Sequence, residues 1–316
     1  MERVLRFQFV SMSQSPSYNC RMSDKPGLRP QQAVGQALRD IARHVLAEGR
    51  TGVEDRKRVE AVAVHDFRAA MKSWRALLRL IEPHLEADER KWRTEARDLA
   101  RMLAGARDAQ AALDAVSDAE HHAPSHRLSS QSWDTIRTKL EDLRSRAETA
   151  SLTVAMRTRI VAALDRAEAR IERWPLDELS FADVAEGLCE DYRRARHLIP
   201  EDWRAASAHD LHELRQRVVV HRYQMEIVEP LWPRLGRSWV REAQKLRNRL
   251  GKVQDLAVLA RYAEPHQPLA HWRSRLQSVI SQRQAQHVAA SRRIVRVSRD
   301  REHGFHRIVS KYFAGS

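Results

Sequence analysis

Displaced by 147 residues, the chain matches itself without a gap, and this repeat constrains the fold more than any other feature. Over positions 65–108 it pairs His65 with His212, Arg68 with Arg215, Arg75 with Arg222, Glu82-Pro83 with Glu229-Pro230, Arg90 with Arg237 and Trp92 with Trp239. The register continues through Glu95-Ala96 and Glu242-Ala243, Leu99 and Leu246, Leu103 and Leu250, to Asp108 and Asp255. These are 12 identities in 44 positions, where about three or four would arise by chance in a chain so rich in Arg, Ala and Leu. The period is too long for a solenoid unit. The expected architecture is therefore two similar helical bundles facing each other across a pseudo-two-fold axis, residues 31–179 and 180–316.

Glycine and proline number only 10 and 11 of 316 residues, and the remainder is dominated by good helix formers, so the fold class is all-α. Apolar periodicity predicts helices near 31–49, 56–81, 84–104, 107–120, 131–151 and 153–173, then near 180–197, 204–229, 234–250, 253–263, 269–289 and 291–312. Breakers separate them, including Pro83, the HHAPSH stretch, Trp174-Pro175, Pro200 and Pro230 with Pro233. Residues 1–30 mix Ser, Pro, Asn and Gly without apolar period and read as a disordered tail.

No run approaches the length of an apolar membrane span, so a soluble, cytoplasmic protein is expected. Two cysteines, Cys20 and Cys189, are too few for a disulfide framework or a four-ligand zinc site. The net charge of +14 favours anionic partners. Its distribution is uneven, about +1 over 31–179 and +10 over 180–316, so the two halves differ in field although they share a plan. Arginine outnumbers lysine 48 to 8, and a guanidinium fork can hold two phosphate oxygens where an ammonium acts as a point charge.

On the helix starting near 56, His65, Arg68, Lys72, Arg75 and Arg79 recur at spacings of 3, 4, 3 and 4, which places five potential cations on one face. Val64, Phe67, Met71, Trp74, Leu78 and Ile81 keep the same rhythm one residue earlier, so a core seam lies beside the basic row. The second half repeats both stripes, with Leu211, Leu214, Val218, Met225 and Val228 beside His212, Arg215 and Arg222. Charged residues at such spacings also decorate ordinary solvated faces. Recurrence in both halves argues for more than that, because like charges held together without counter-ions repel and a bridging polyanion would relieve the repulsion.

These residues resemble the CHAD domain, a helical module named for its conserved histidines. The family pattern is His, Arg three later, a basic residue seven later and Arg ten later, once per half. The first copy, VHDFRAAMKSWRALL, matches through His65, Arg68, Lys72 and Arg75. The second, LHELRQRVVVHRYQMEI, keeps His212, Arg215, Arg222, Tyr223 and Glu226, but has Val219 where the family usually has Lys and His221 where Leu is usual. A second family element looks like LAGARDAQ in the first half and LGKVQDLAVL in the second, with Asp108 and Asp255 as shared acids expected near helix starts, in a structural or Arg-orienting role. YRRARH, with Tyr192, Arg193, Arg194 and Arg196, resembles the family's tyrosine and basic motif. The resemblance spans about 31–316. It implies a pseudo-symmetric helical domain whose basic residues surround a central groove or channel, bind inorganic polyphosphate and often sit on polyphosphate granules.

Catalysis is not expected: the chain has no Walker phosphate loop, no His-Glu-x-x-His and no nucleophile elbow. No cofactor is implied. Metal binding would draw on His121, His122 and His126, read here as a loop without supporting acids or thiols, and arginines beside His65 and His212 oppose a cation. Nucleic acid is the main alternative partner, since a strongly basic helical protein binds it to some degree through phosphate contacts alone.

Overall fold

A computed structural model describes residues 26–85, 89–103, 105–124, 127–149 and 152–313. The described residues are all-helical in class, 81% of them in helix and none in a strand. Among the described residues there are ten α-helices: α1 Val34–Glu54, α2 Glu60–Ile81, α3 Glu89–Met102, α4 Gly105–His122, α5 Ser130–Thr149, α6 Val154–Ile171, α7 Phe181–His197, α8 Ala208–Val228, α9 Pro233–Tyr262 and α10 Arg273–Phe313. None of the described helices is long and apolar enough to cross a membrane.

The local sequence explains where several of them start and stop. Ser180 and Ser207 each accept from the backbone N–H three residues on, while Asp183 and Asp210 accept back from the serine N–H, so α7 and α8 open with reciprocal capping boxes. Both aspartates are held below the usual carboxylate range, chiefly by the serine hydroxyls. α2 and α8 end alike, running into short 3-10 turns at Glu82–His84 and Glu229–Leu231 whose prolines can accept a first-turn position but cannot continue the hydrogen-bond ladder.

The helices differ from the sequence expectation in four places. The segments expected at 234–250 and 253–263 form the single helix α9, and those expected at 269–289 and 291–312 form the single helix α10. No proline interrupts either junction, and Gly251 lowers helix propensity without ending the hydrogen-bond ladder. His121 and His122 lie in the last turn of α4, not in a loop, with His122 Nδ1 2.9 Å from the Asp118 carbonyl. His126 lies outside the described residues. Most of the expected tail, residues 1–25 with Cys20, also lies outside them, but the stretch beginning at Pro26 is docked. There Leu28 is buried, and its N–H donates to the Ile227 carbonyl at 2.8 Å. Gly27 permits the approach, because a Cβ there would sit 2.6 Å from Pro230.

Three apolar cores hold the helices. The largest joins α1, α2, α3 and α6 to Trp174, Leu176 and Leu179, and takes in Met225, Ile227 and Val228 from the end of α8. A second joins α4 and α5 to the C-terminal part of α9 and the start of α10. A smaller third unites Trp203, the N-terminal part of α8, Leu250 and Val253 of α9, and Val295 of α10. The first two cores draw from both sides of residue 180, so the helices interlock across the repeat boundary. Trp74 and Trp174 stack with centroids 5.8 Å apart inside the first core. Arg39 caps that region from within, donating to the Trp174 carbonyl at 2.6 Å and to Asp177 at 2.8 Å.

One buried polar knot ties α4 to α10. Arg283 donates from Nε and Nη2 to the two oxygens of Asp118 at 3.1 and 2.8 Å, and His287 Nε2 lies 2.9 Å from the same carboxylate. Burial keeps the His287 ring from protonating readily, whereas the Arg283 and His287 hydrogen bonds outweigh desolvation at Asp118 and hold its carboxyl down at about 2. The contribution of Asp118 is therefore fully present above the ordinary carboxylate range and is lost as pH falls toward 2. Asp118→Ala leaves Arg283 buried without its partner and should cost about 3–5 kcal/mol of stability at pH 7, read by chemical denaturation. The gap between wild type and variant should narrow by roughly 2–3 kcal/mol as pH falls from 5 to below 2.

Candidate functional site

The stripe expected on α2 is present. Val64, Phe67, Met71, Trp74, Leu78 and Ile81 are all buried, and the basic row lies beside them. α8 buries Leu211, Leu214, Val218, Met225 and Val228. The two helices pack on each other, with α3 against α2 and α9 against α8. Core burial thus fixes the rotation of both helices and with it the direction of their basic rows.

Those rows converge around Lys72. This lysine is partly buried and makes no ion pair among the described residues; burial, followed by the fields of Arg68, Arg215, Arg247 and Arg107, lowers its pKa to about 7. Arg68 donates from Nη1 to the Ala100 carbonyl of α3, and burial and Arg107 disfavour its charge while Asp108 supports it. Arg215 feels burial and Arg247 and Arg107 in the same direction, with Asp255 opposing. Arg247 is lowered by burial and by Arg222 and Arg107. The cluster therefore brings together cations from α2, α4, α8 and α9, with few carboxylates to neutralise them.

Two acids lie within ion-pair distance of arginines. Asp255 lies 4.0 Å from Arg107 Nη2, and its own carboxyl is raised by burial against the pull of Arg107 and Arg215. It stands deep inside α9, well away from the helix start where it was expected, so an N-capping role is ruled out by its position. Asp108 does lie in the first turn of α4, where its charge complements the helix dipole, and it pairs with Arg261 at 3.4 Å.

The other expected residues divide. Arg222 pairs with Glu226 and lies over the Tyr223 ring at 4.0 Å, and these three line a cavity of about 510 Å³ together with Asp66, Ser73 and Arg58. His212 is partly buried with Nδ1 lacking a hydrogen-bond partner, and burial followed by Arg215 lowers its pKa, whereas His65 is exposed. Arg75 is surrounded by Arg97, Arg93, Arg79 and Arg101, whose fields add to burial in disfavouring its charge. Arg79 turns to α7 and donates to Asp191 at 2.8 Å. Arg193 and Arg194 are exposed and both pair with Glu190, and Arg196 is exposed on the same helix. Tyr192 packs against His221 and Trp239 with centroids 5.2 and 5.9 Å away, which makes it a scaffold residue.

Sequence reading missed Arg107, Arg247 and Arg217. Arg107 precedes Asp108 within the quoted LAGARDAQ element, and Arg247, Gly251 and Asp255 fall at i, i+4, i+8 on one face of α9, a signal available once α9 is taken as continuous. Arg217 gives no periodic signal, yet it is buried enough to lower its pKa, next to Arg79, Asp191 and Arg194. The departures from the repeat also gain an account. His221 is buried, held neutral at about 4, and accepts at Nε2 from Trp239 Nε1 at 2.7 Å, so it serves the fold. Val219 stands where a second copy of Lys72 would be, which leaves one lysine among the arginines.

Interlocked helices carrying a convergent, under-neutralised set of arginines define an all-α protein with a strongly basic cluster. A family model for the CHAD domain matches residues 33–264, nearly three quarters of the chain, and the protein belongs to that family. The match stops short of the 31–316 span suggested by the sequence motifs, leaving α10 outside it. No curated protein matches the chain in sequence. Among the described residues no group of three or more His, Cys, Asp or Glu side chains is arranged to hold a metal ion.

The placement of Lys72 makes one direct prediction. In lysine-labelled protein without added polyanion, one signal among those of the eight lysines should titrate near pH 7, and Lys72→Met should remove it.

Proposed function

We propose that this CHAD protein binds inorganic polyphosphate, without catalysing its breakdown, in a basic groove between the two repeats. The observation that carries this reading is Lys72 set among Arg68, Arg107, Arg215 and Arg247, a group of cations that disfavour one another's charge. Such an arrangement opposes folding unless a ligand supplies negative charge along its length. A polymer with one charge per small repeating unit suits several guanidiniums at once, and each fork can take two oxygens. His212, Arg222 and Tyr223 extend the site along α8, while Asp108 and Asp255 orient arginines. Arg193, Arg194 and Arg196 are exposed on α7, where they would add long-range attraction more than close contacts. Binding of this kind would place the protein on polyphosphate granules.

Nucleic acid is the competing ligand. Trp74 is buried and Trp239 is hydrogen-bonded to His221, so neither offers the free aromatic platform on which bases stack. Labelled long-chain polyphosphate challenged with DNA, RNA and short phosphates at physiological salt separates the readings. Retention of polyphosphate supports the proposal, and displacement by nucleic acid at equal phosphate overturns it.

Two variants probe the contacts. Arg68→Ala with Arg215→Ala should weaken polyphosphate binding by at least about a hundredfold, since each charge-assisted hydrogen bond contributes roughly 1.5–3 kcal/mol, while helicity stays unchanged. Affinity should also fall as pH rises from 6 to 9. Phosphate favours the charged forms of Lys72 and His212, whereas in the empty site burial and neighbouring arginines favour the neutral ones, so binding takes up protons. Lys72→Met should flatten the part of this profile above pH 7, measured by titration calorimetry in two buffers of different ionisation enthalpy.

A further inference from the structure

A separate cavity lies in the second half of the chain, between α8, α9 and α10. α8 and α10 both pack on α9 and leave a groove between them, lined in addition by the segment before α8. Its volume is about 1100 Å³. The walls are mostly apolar, with Trp203, Leu211 and Val253 facing Val288. The space exists because the chain places alanines where larger residues would fill it, Ala285 and Ala289 on α10 and Ala206 and Ala208 opposite.

The lining changes character along α10. Gln284, Ala285, Val288 and Ala289 give way one turn later to Arg292, Arg293 and Arg296. From Gln284 to Arg296 the groove follows the helix for roughly 18 Å. Arg204 adds a fourth guanidinium from the segment before α8. All four arginines are exposed, none makes an ion pair with another described residue, and among the described residues no carboxylate lines the cavity. An apolar trough grading into a group of exposed arginines is complementary to a ligand with the same gradient.

We propose that this groove binds a single-chain amphiphile with an anionic head, the hydrocarbon lying over Leu211, Val253 and Val288 and the head held by Arg292, Arg293 and Arg296. A carboxylate and a phosphate head share the chemistry that the guanidiniums recognise. The site is independent of the basic cluster around Lys72, and its test does not depend on polyphosphate binding.

Calorimetric titration of the whole protein with decanoate and with decyl phosphate, each below its micelle concentration, reads the two head groups separately. Saturable binding of either at one site is expected, tightening by up to about fourfold per added methylene as the chain lengthens, the factor that corresponds to about 0.8 kcal/mol. Decyltrimethylammonium should bind at least tenfold more weakly. Ala289→Leu fills the trough from an exposed position on α10 with a good helix former, so folding is kept while amphiphile binding should drop at least tenfold and polyphosphate binding stay as in wild type. Arg292→Gln with Arg293→Gln should erase the preference for the anionic head. The proposal is overturned by equal binding of the cationic amphiphile, by no saturable binding, by affinity unmoved in Ala289→Leu, or by capture of an acidic amphipathic peptide where neither anionic amphiphile binds.

Discussion

A single carboxylate, buried where three helices meet, sets the geometry on which the rest of this protein depends. Asp191 of α7 accepts from Arg79 of α2 at 2.8 Å and from Gln224 of α8 at 2.6 Å, and Gln224 also donates to the Ala76 carbonyl of α2 at 3.2 Å. Apolar contacts alone allow packed helices to slip by a fraction of a turn at small cost. A hydrogen-bonded carboxylate does not, because any shift leaves buried polar atoms without partners. The register of α2 against α8 is thereby pinned, and the two basic rows inherit it.

The cluster around Lys72 shows the tension that such pinning can hold. Each guanidinium keeps its apolar stem against the helices while its head stays near its neighbours, so packing favours an arrangement that electrostatics opposes. The largest core, built on α1, α2, α3 and α6 and including Trp74, Trp174 and Phe67, supplies the stabilisation that lets the arrangement persist. Asp255, raised by its own burial, moderates the repulsion without neutralising it. On the proposed function, an anion entering this field would meet cations already held by packing, with less ordering entropy left to lose.

Much of this was legible in the sequence, for reasons that can be traced to particular residues. The two stripes on α2 could be read because helical periodicity ties the buried face of Phe67, Met71 and Trp74 to the placing of Arg68, Lys72 and Arg75. The capped starts of α7 and α8 follow from Ser180 with Asp183 and Ser207 with Asp210. What could not be read depends on contacts between distant segments. Nothing local distinguishes Arg79, which binds Asp191, from Arg75, which lies among other arginines. The roles of Arg107 and Arg247 emerge only when α4 and α9 are brought together. The continuity of α9 was obscured by the expectation of separate helices at 234–250 and 253–263, although no proline lies between them and a Cβ on Gly251 would meet the Arg215 guanidinium only at ordinary contact distance, 3.6 Å.

The interlocking of the cores has a consequence for how the chain is made. The apolar face of α4 and α5, including Val116, Ile136 and Leu140, is covered by Leu256, Leu259, Leu276 and Ile280, which emerge from the ribosome more than a hundred residues later. At ordinary elongation rates of about 5–20 residues per second, that face waits on the order of ten seconds for its cover. During this interval the nascent first half is a sticky fragment, however stable the finished molecule. The charge asymmetry of the halves then matters in a new way, because the near-neutral segment is made first and the strongly basic one that completes its core arrives last.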